Sequence, residues 1–475
     1  MKEQLLAALP LAVSAVGFAA FLAGNRIFAG ADQTHGRSRW ARSGELRALY
    51  LDRTPGIVLG WLGRRLLRSP AEDNVIAFGV QRSGKTTTLV VPTLLEWRGA
   101  ALATSTKDEL VRLTARRRSL SGPVYVFAPV DPMPEWVHEL GLEAARWNPV
   151  AEATSAGIAA ELADLFTAAG REGPSAHWYT SAASLLTGLF LHEHVRGGEI
   201  RAVLRTLNET APRGYLALAV STQKAAAKEI LKGIGSTPER EAGSIISTAR
   251  ACLSLWLDER VAMATSQANL DLDELLREGG SLYLVAPAED AERCRPLFSA
   301  LIATLLRKAT ARARSQGGVL SPRLLLALDE VANFARIPRL DAYVSTGPGQ
   351  GIQTLLCFHD LAQVERGYGE EAARTVWNNC RARLLLPGQG DLKTLEHFSK
   401  SIGDETIRFH NRHRSASSSG VSESRSSRPL ASVDDLRRST ATVLVYASLP
   451  PARLRSRRWD QVSAWRTAVD IRPPP

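Results

Sequence analysis

The sequence predicts an α/β fold: a mostly parallel sheet, an all-α domain inserted into it, and one apolar helix at the N-terminus. Three observations predict it. Short apolar runs recur along the chain and are near-continuous rather than alternating, as parallel strands buried on both faces require. A glycine-punctuated loop, 79–86, lies between the first of those runs and a helical pattern. The stretch 151–273 holds helical patterns without one convincing strand.

Val75-Ile76-Ala77-Phe78 reads as the first buried strand. The others follow as ALAT (101–104), VYVFAP (124–129), SLYLVAP (281–287), RLLLALDE (323–330), TLLCFHD (354–360), ARLLLPG (382–388) and TVLVYA (442–447). Helical patterns separate them, as crossover connections demand. In the inserted stretch, Gly/Pro clusters such as REGP and TAPRG divide four helical runs, the second ending in HEHV. The simplest topology is a nucleotide-binding domain in two parts, 71–150 and 274–460, interrupted by an all-α domain over 151–273.

The loop itself reads GVQRSGKT, two glycines with four residues between them followed by Lys and Thr. Gly79 and Gly84 let the backbone curl so that the N–H groups of Val80, Gln81, Arg82, Ser83, Lys85, Thr86 and Thr87 can face phosphate oxygens. Lys85 reaches the β- and γ-phosphates of ATP, and Thr86 offers its hydroxyl to Mg²⁺. The helix that follows adds its N-terminal dipole. Hydrolysis needs a second metal contact and a group to activate water. The run LLLALDE supplies both: Asp329 as a Mg²⁺ ligand and Glu330 as the group that polarises the attacking water. A glycine turn explains the first motif and a helix N-cap the second, but neither explains the pair.

The 475 residues allow two or three domains. A net charge of +11 favours an anionic partner, nucleic acid or acidic lipid, although the excess of Arg over Lys fits a GC-rich coding bias. Cys252, Cys294, Cys357 and Cys380 have no paired spacing, so neither a zinc site nor a disulfide framework is expected. HEH at 192–194 reads as an exposed helix tail and HNRH at 410–413 as loop. Residues 5–24 are uncharged and apolar, long enough to cross a bilayer once. Arg26, Arg37, Arg39 and Arg42 follow, which places the bulk of the chain in the cytoplasm, anchored in the cell membrane through residues 1–30. A cleaved signal peptide is the competing reading; the weakly charged start and the need for cytoplasmic ATP favour the anchor. Residues 31–70 form a basic lead-in, 409–430 a flexible Ser/Arg-rich loop, and 461–475 a C-terminal tail. The basic clusters 116–118, 307–314 and 453–458 either face a pore or are solvated helix faces.

With these residues in place the chain resembles the type IV secretion coupling proteins, the TraG/TraD family of conjugative DNA-transfer ATPases, over nearly its whole length. The likeness includes HGRSRWA and GIVLG before the loop and VVPTLLEW after it, with Pro92 where the family also carries one. STKDEL (105–110) resembles the family's D-P-K-G-E-L with Lys107 and Glu109 matching, and WNPV (147–150) its N-P motif. DEVANFARIPRLDAYVSTGPGQGIQ resembles its second nucleotide motif, and WNNC with GDLKTLEHFSKSIGDET its C-terminal signature. The resemblance implies a membrane-anchored, homo-hexameric RecA/FtsK-like motor. In that family the motor uses Mg-ATP to pass a relaxase–DNA complex, single-stranded DNA with its attached protein, to secretion-channel components. It also implies that His359 stands where the family has a γ-phosphate-sensing glutamine. Pro348 stands where an arginine finger is common, with Arg336, Arg339, Arg366 and Arg374 as substitutes, and one membrane span is found where two are frequent. The alternatives are an FtsK/SpoIIIE-like double-stranded DNA translocase and an ATP-binding, non-hydrolysing docking platform.

Overall fold

The computed structural model describes residues 36–51, 56–131, 134–171, 173–334, 337–415 and 418–471. Its strands are β1 (Val58–Leu62), β2 (Arg65–Arg68), β3 (Val75–Phe78), β4 (Ala100–Ser105), β5 (Val124–Phe127), β6 (Ser281–Val285), β7 (Leu324–Leu328), β8 (Ile352–Phe358), β9 (Ala382–Leu385), β10 (Asp404–Ser415), β11 (Ser418–Pro429), β12 (Thr442–Tyr446) and β13 (Ala452–Leu454). Nine of them form one sheet in the order β13-β12-β9-β3-β8-β7-β4-β6-β5. The pairs from β9 to β5 are parallel, and β12 and β13 close one edge antiparallel. All eight strands read from the sequence are present.

Both faces of this sheet are covered, which is why most of its strand positions are apolar, with Thr104, Gln353 and Thr354 among the buried polar exceptions. Along β7, Leu324, Leu326 and Leu328 pack with the helical insertion, while Leu325 and Ala327 pack with the helices on the opposite side. The insertion leaves after β5 and returns at β6, its neighbour at the sheet edge. Among the described residues between them there are only helical elements, from Glu135–Glu139 to Leu272–Glu278. Asn148 opens it by accepting from the Val150 N–H and donating to the Gly198 carbonyl, both at 3.0 Å. Phe166, Phe190 and Trp256 at its centre belong to the same apolar cluster as Phe78 and Leu328 of the sheet.

Four sequence expectations are corrected here. The stretch 409–430 is the greater part of an antiparallel hairpin, β10 paired with β11 from Asp404↔Pro429 to Ser415↔Ser418, and HNRH lies on β10. The hairpin is Ser/Arg-rich, and the alternation that marks a strand is missing from its sequence. The hairpin base is tied down: the Ser38 N–H donates to the Asp404 carbonyl at 2.9 Å, and Thr406 Oγ1 to the Gly36 carbonyl at 2.7 Å. The tail 461–475 contains a docked helix, Ser463–Val469, whose Trp465 is buried and donates to Glu96 at 2.8 Å. In HEH, His192 and Glu193 are buried rather than exposed, and His192 Nδ1 meets Thr222 Oγ1 at 2.8 Å.

The basic clusters are the fourth correction. Arg118 is fully buried, donating to the carbonyls of Trp97, Gly99 and Gly279 and to Ser281 Oγ, with burial pulling its pKa down to about 10. Arg307 faces Glu152 and Glu161, and Arg453 and Arg457 lie over Trp40 and Trp61. No helix among the described residues is long and apolar enough to cross a membrane. The span read at 5–24 lies outside those residues.

Candidate nucleotide site

The sheet order builds the site. From β3 the chain passes β8 and β7 before pairing again at β4, so the carboxyl ends of β7 and β8 lie beside the loop that leaves β3. A parallel sheet collects its ligand groups at such a crossing point. The loop is pinned to β8 by the Gly79 N–H, which donates to the Phe358 carbonyl at 3.1 Å. A Cβ on Gly79 would stand 2.4 Å from Ser83 Oγ, so only glycine lets the loop close on itself. Gly84 has φ +94, which an L side chain resists, and Arg82 takes a positive φ of 65 without being glycine. Such conformations persist where the surroundings hold them and gather at ligand sites.

The helix after the loop begins with a π turn, Thr86–Val90, before the α segment Val91–Glu96. Pro92 has no N–H and its ring crowds the carbonyl four residues back. The wider turn, in which the Val91 N–H reaches the Thr86 carbonyl, carries the chain past that position. A proline that looks costly inside a helix therefore sits in the first turn of the α segment.

A cleft of 540 Å³ opens over this loop, lined by residues 80–87, Ser105, Thr106, Lys107, Glu109, Leu110, Ala288, Asp329, Glu330 and Arg458. Val80, Gln81, Arg82, Ser83, Gly84, Lys85, Thr86 and Thr87 thus all face it, and Asp329 and Glu330 face it from the end of β7. Lys107 and Glu109 line it as well. Lys85 Nζ donates to the Gly79 carbonyl and, at 3.2 Å, to that of Val80. Thr86 Oγ1 donates to Asp329 Oδ2, and Thr104 Oγ1 holds the Asp329 carbonyl at 2.7 Å. Asp329 Oδ1 and Ser83 Oγ are buried without a hydrogen-bond partner. Burial raises the Asp329 pKa above the usual carboxylate value, with Thr86 and Lys85 opposing it. A buried carboxylate oxygen with no partner, beside a threonine hydroxyl and under a lysine, fits a hard cation bound with phosphate. Glu330 follows with φ 51, a strained turn that places it at the cleft wall.

Two expected residues stand apart. Gly79 shapes the loop from below and does not line the cleft. His359 does not line it either: its N–H donates to Gln363 Oε1 at 2.8 Å and its carbonyl accepts from Gln389 Nε2 at 2.7 Å. Its imidazole is still close enough for Lys85 and Glu330 to act on it, and burial followed by Lys85 lowers its pKa, which favours the neutral ring. Pro348 opens a 3-10 turn, Pro348–Gln350; Arg339, Arg366 and Arg374 are exposed and none lines the cleft. Arg336 lies outside the described residues. Sequence reasoning missed Gln389, whose buried amide links the ends of β8 and β9. It also missed Arg458, which reaches the cleft from far along the chain and gave no local signal.

The family model for type IV secretory system conjugative DNA transfer matches residues 39–461. A conjugal transfer protein TraG of Escherichia coli is 28% identical over 426 residues, covering 78% of this chain and 65% of that protein. Protein VirD4 of Agrobacterium fabrum is 25% identical over 394 residues, covering 79% of this chain and 57% of that protein. The chain therefore spans roughly three fifths of the length of these relatives. In fold it is similar to plasmid coupling protein TrwB solved in complex with ADP and Mg²⁺, with TM-score 0.68 and 16% identity over 90% of this chain and 95% of that one. The unbound TrwB structure gives the same TM-score of 0.68 over 88% and 93%. The chain belongs to the type IV secretory system conjugative DNA transfer family.

Proposed function

We propose that the chain is a membrane-anchored Mg-ATPase that couples a DNA or relaxase–DNA substrate to a type IV secretion channel. The observation that carries the ATPase part is the partnerless Asp329 Oδ1 beside Thr86 and Glu330, in a cleft that Lys85 also lines. Thr86 and Asp329 would hold Mg²⁺, which would supply charge neutralisation on the nucleotide phosphates. Lys85 exchanges the Gly79 and Val80 carbonyls for phosphate oxygens, gaining a charge-assisted contact. Glu330 orients and polarises the attacking water. His359, held by its backbone at the end of β8, is the candidate γ-phosphate sensor that the resemblance implies, close enough to the site for Lys85 and Glu330 to act on its ring. Family membership supports the DNA and channel partners, the apolar 5–24 stretch supports the anchor, and the homo-hexamer rests on the resemblance.

The test is steady-state ATP hydrolysis by the purified full-length chain with single-stranded DNA, with duplex DNA and without DNA, over a range of salt. Turnover stimulated by single-stranded DNA, with stimulation falling steeply as salt rises, is the expected result. Stimulation by duplex alone favours a double-strand translocase. Nucleotide binding without turnover under every condition leaves a docking platform and contradicts the motor.

A further inference from the structure

The cleft wall includes one charged residue that none of the nucleotide motifs supplies. Arg458 comes from the segment after β13, about 370 residues beyond the loop it faces, and that segment is fixed along its length. The Arg455 N–H donates to the Trp61 carbonyl at 2.8 Å and the Trp61 N–H returns to the Arg455 carbonyl at 3.0 Å, so the segment adds to β1. Arg457 lies over the Trp61 ring at 4.6 Å. The short turn Trp459–Gln461 follows, then the helix Ser463–Val469, whose buried Trp465 packs edge-on to Trp61 at 6.0 Å. The Trp465 indole donates to Glu96, the last residue of the helix that begins at the phosphate loop, and Arg68 of β2 grips the same carboxylate at 2.6 and 3.0 Å. The C-terminal segment is thus a strap laid across the nucleotide helix and locked at both ends. Between the locks, Arg458 enters the cleft.

Its chemistry suits a polyphosphate. The Arg458 Nε donates to Asp460 Oδ1 at 3.1 Å, and the two side chains are 55% and 41% exposed. An ion pair this open to water contributes little, so holding it or giving it up for phosphate costs almost nothing. The planar guanidinium presents donors in a fork that matches two phosphate oxygens at once. Its cleft-lining neighbours Arg82, Lys85 and Lys107 are cationic as well, and only Glu109, Asp329 and Glu330 oppose them. We propose that Arg458 is a nucleotide-contacting residue: the C-terminal strap supplies, from the same chain, a guanidinium that binds the polyphosphate of the bound nucleotide. The inference rests on the nucleotide reading of the cleft and extends it to a second, distant segment.

The test is the affinity of the purified full-length chain for the fluorescent nucleotide mant-ADP with Mg²⁺, in wild type, Arg458→Ala, Arg458→Lys, Trp465→Ala and Lys85→Ala. Loss of one charge-assisted contact predicts about tenfold weaker binding for Arg458→Ala. Arg458→Lys, which keeps the charge without the fork, should recover part of it. Trp465→Ala frees the strap and should match Arg458→Ala, with no further loss when the two are combined. Arg458 is exposed, so its substitution leaves the fold intact, and an unchanged melting temperature confirms that. Binding by Arg458→Ala within twofold of wild type, while Lys85→Ala loses it, overturns this inference and leaves the nucleotide site standing. A wild-type chain that does not bind mant-ADP, or a Lys85→Ala variant that binds it equally well, overturns both.

Discussion

The candidate nucleotide cleft and the basic clusters contain the same kinds of side chain and treat several of them in opposite ways. Arg458 of the 453–458 cluster lines the cleft, while other arginines of the clusters have partners within the molecule. Arg118 has three carbonyls and a hydroxyl, Arg307 has two carboxylates, and Arg453 and Arg457 have tryptophan faces. In the cleft, Asp329 Oδ1 and Ser83 Oγ have no partner, and Arg82 and Glu330 hold left-handed backbone. Arg118 is satisfied because it holds the fold together, whereas Asp329 at the cleft keeps a buried carboxylate oxygen without a partner, as a ligand-binding group does. Charge density in the sequence does not separate the two. The partners of each side chain in the structure do.

Substitutions at the extremes should sharpen that contrast. Lys85→Ala removes the cleft's central cation and should weaken Mg-nucleotide binding by about a hundredfold or more, measured by calorimetry, with little change in melting temperature. Arg118→Met should do the reverse. It leaves buried carbonyls unpaired and should cost at least about 3 kcal/mol in urea unfolding. If Arg118→Met were as stable as wild type but bound DNA poorly, Arg118 would belong with the functional arginines and the contrast would fail. Gly84→Ala forces a Cβ to 3.2 Å from Thr88 Cγ2 at φ +94. The strain, about 1–2 kcal/mol, should appear mainly as weaker nucleotide binding.

The smallest effect belongs to the helical insertion. Burial raises the Glu193 pKa above 4.5, against Arg196 and Arg205, which lower it. Below pH 4.5 both folded and unfolded chains hold the proton. As pH rises through the folded pKa the buried group must ionise, so the stability it contributes is lost above that window. Glu193→Gln should therefore melt about 1–3 °C higher than wild type at pH 8 and match it at pH 4. A difference of the same size at both values would show that the effect comes from packing.

What could be read from the sequence follows physical range. The glycine loop 79–86, the carboxylates after β7 and the eight strands read in the main sheet are local patterns, and their places in the fold were legible. The β10–β11 hairpin was not, because its Ser/Arg-rich composition resembles a loop and carries no alternation. Arg118 looked like one of three surface arginines, since nothing nearby in sequence announces that the carbonyls of Trp97 and Gly279 converge on it. Arg458 and Gln389 join the site only through the sheet order, and strand order between distant segments leaves no periodic trace. His359 was legible as a position beside the site, but its backbone partners Gln363 and Gln389 were not.

The central claim is that the cleft hydrolyses ATP with Glu330 as the group that activates water. Its most direct test is to measure, on the full-length Glu330→Gln variant with Mg²⁺ and single-stranded DNA, both ATP binding and ATP turnover. The account predicts near wild-type binding with turnover lowered by about 10²–10⁴-fold. Turnover at the wild-type rate would contradict it.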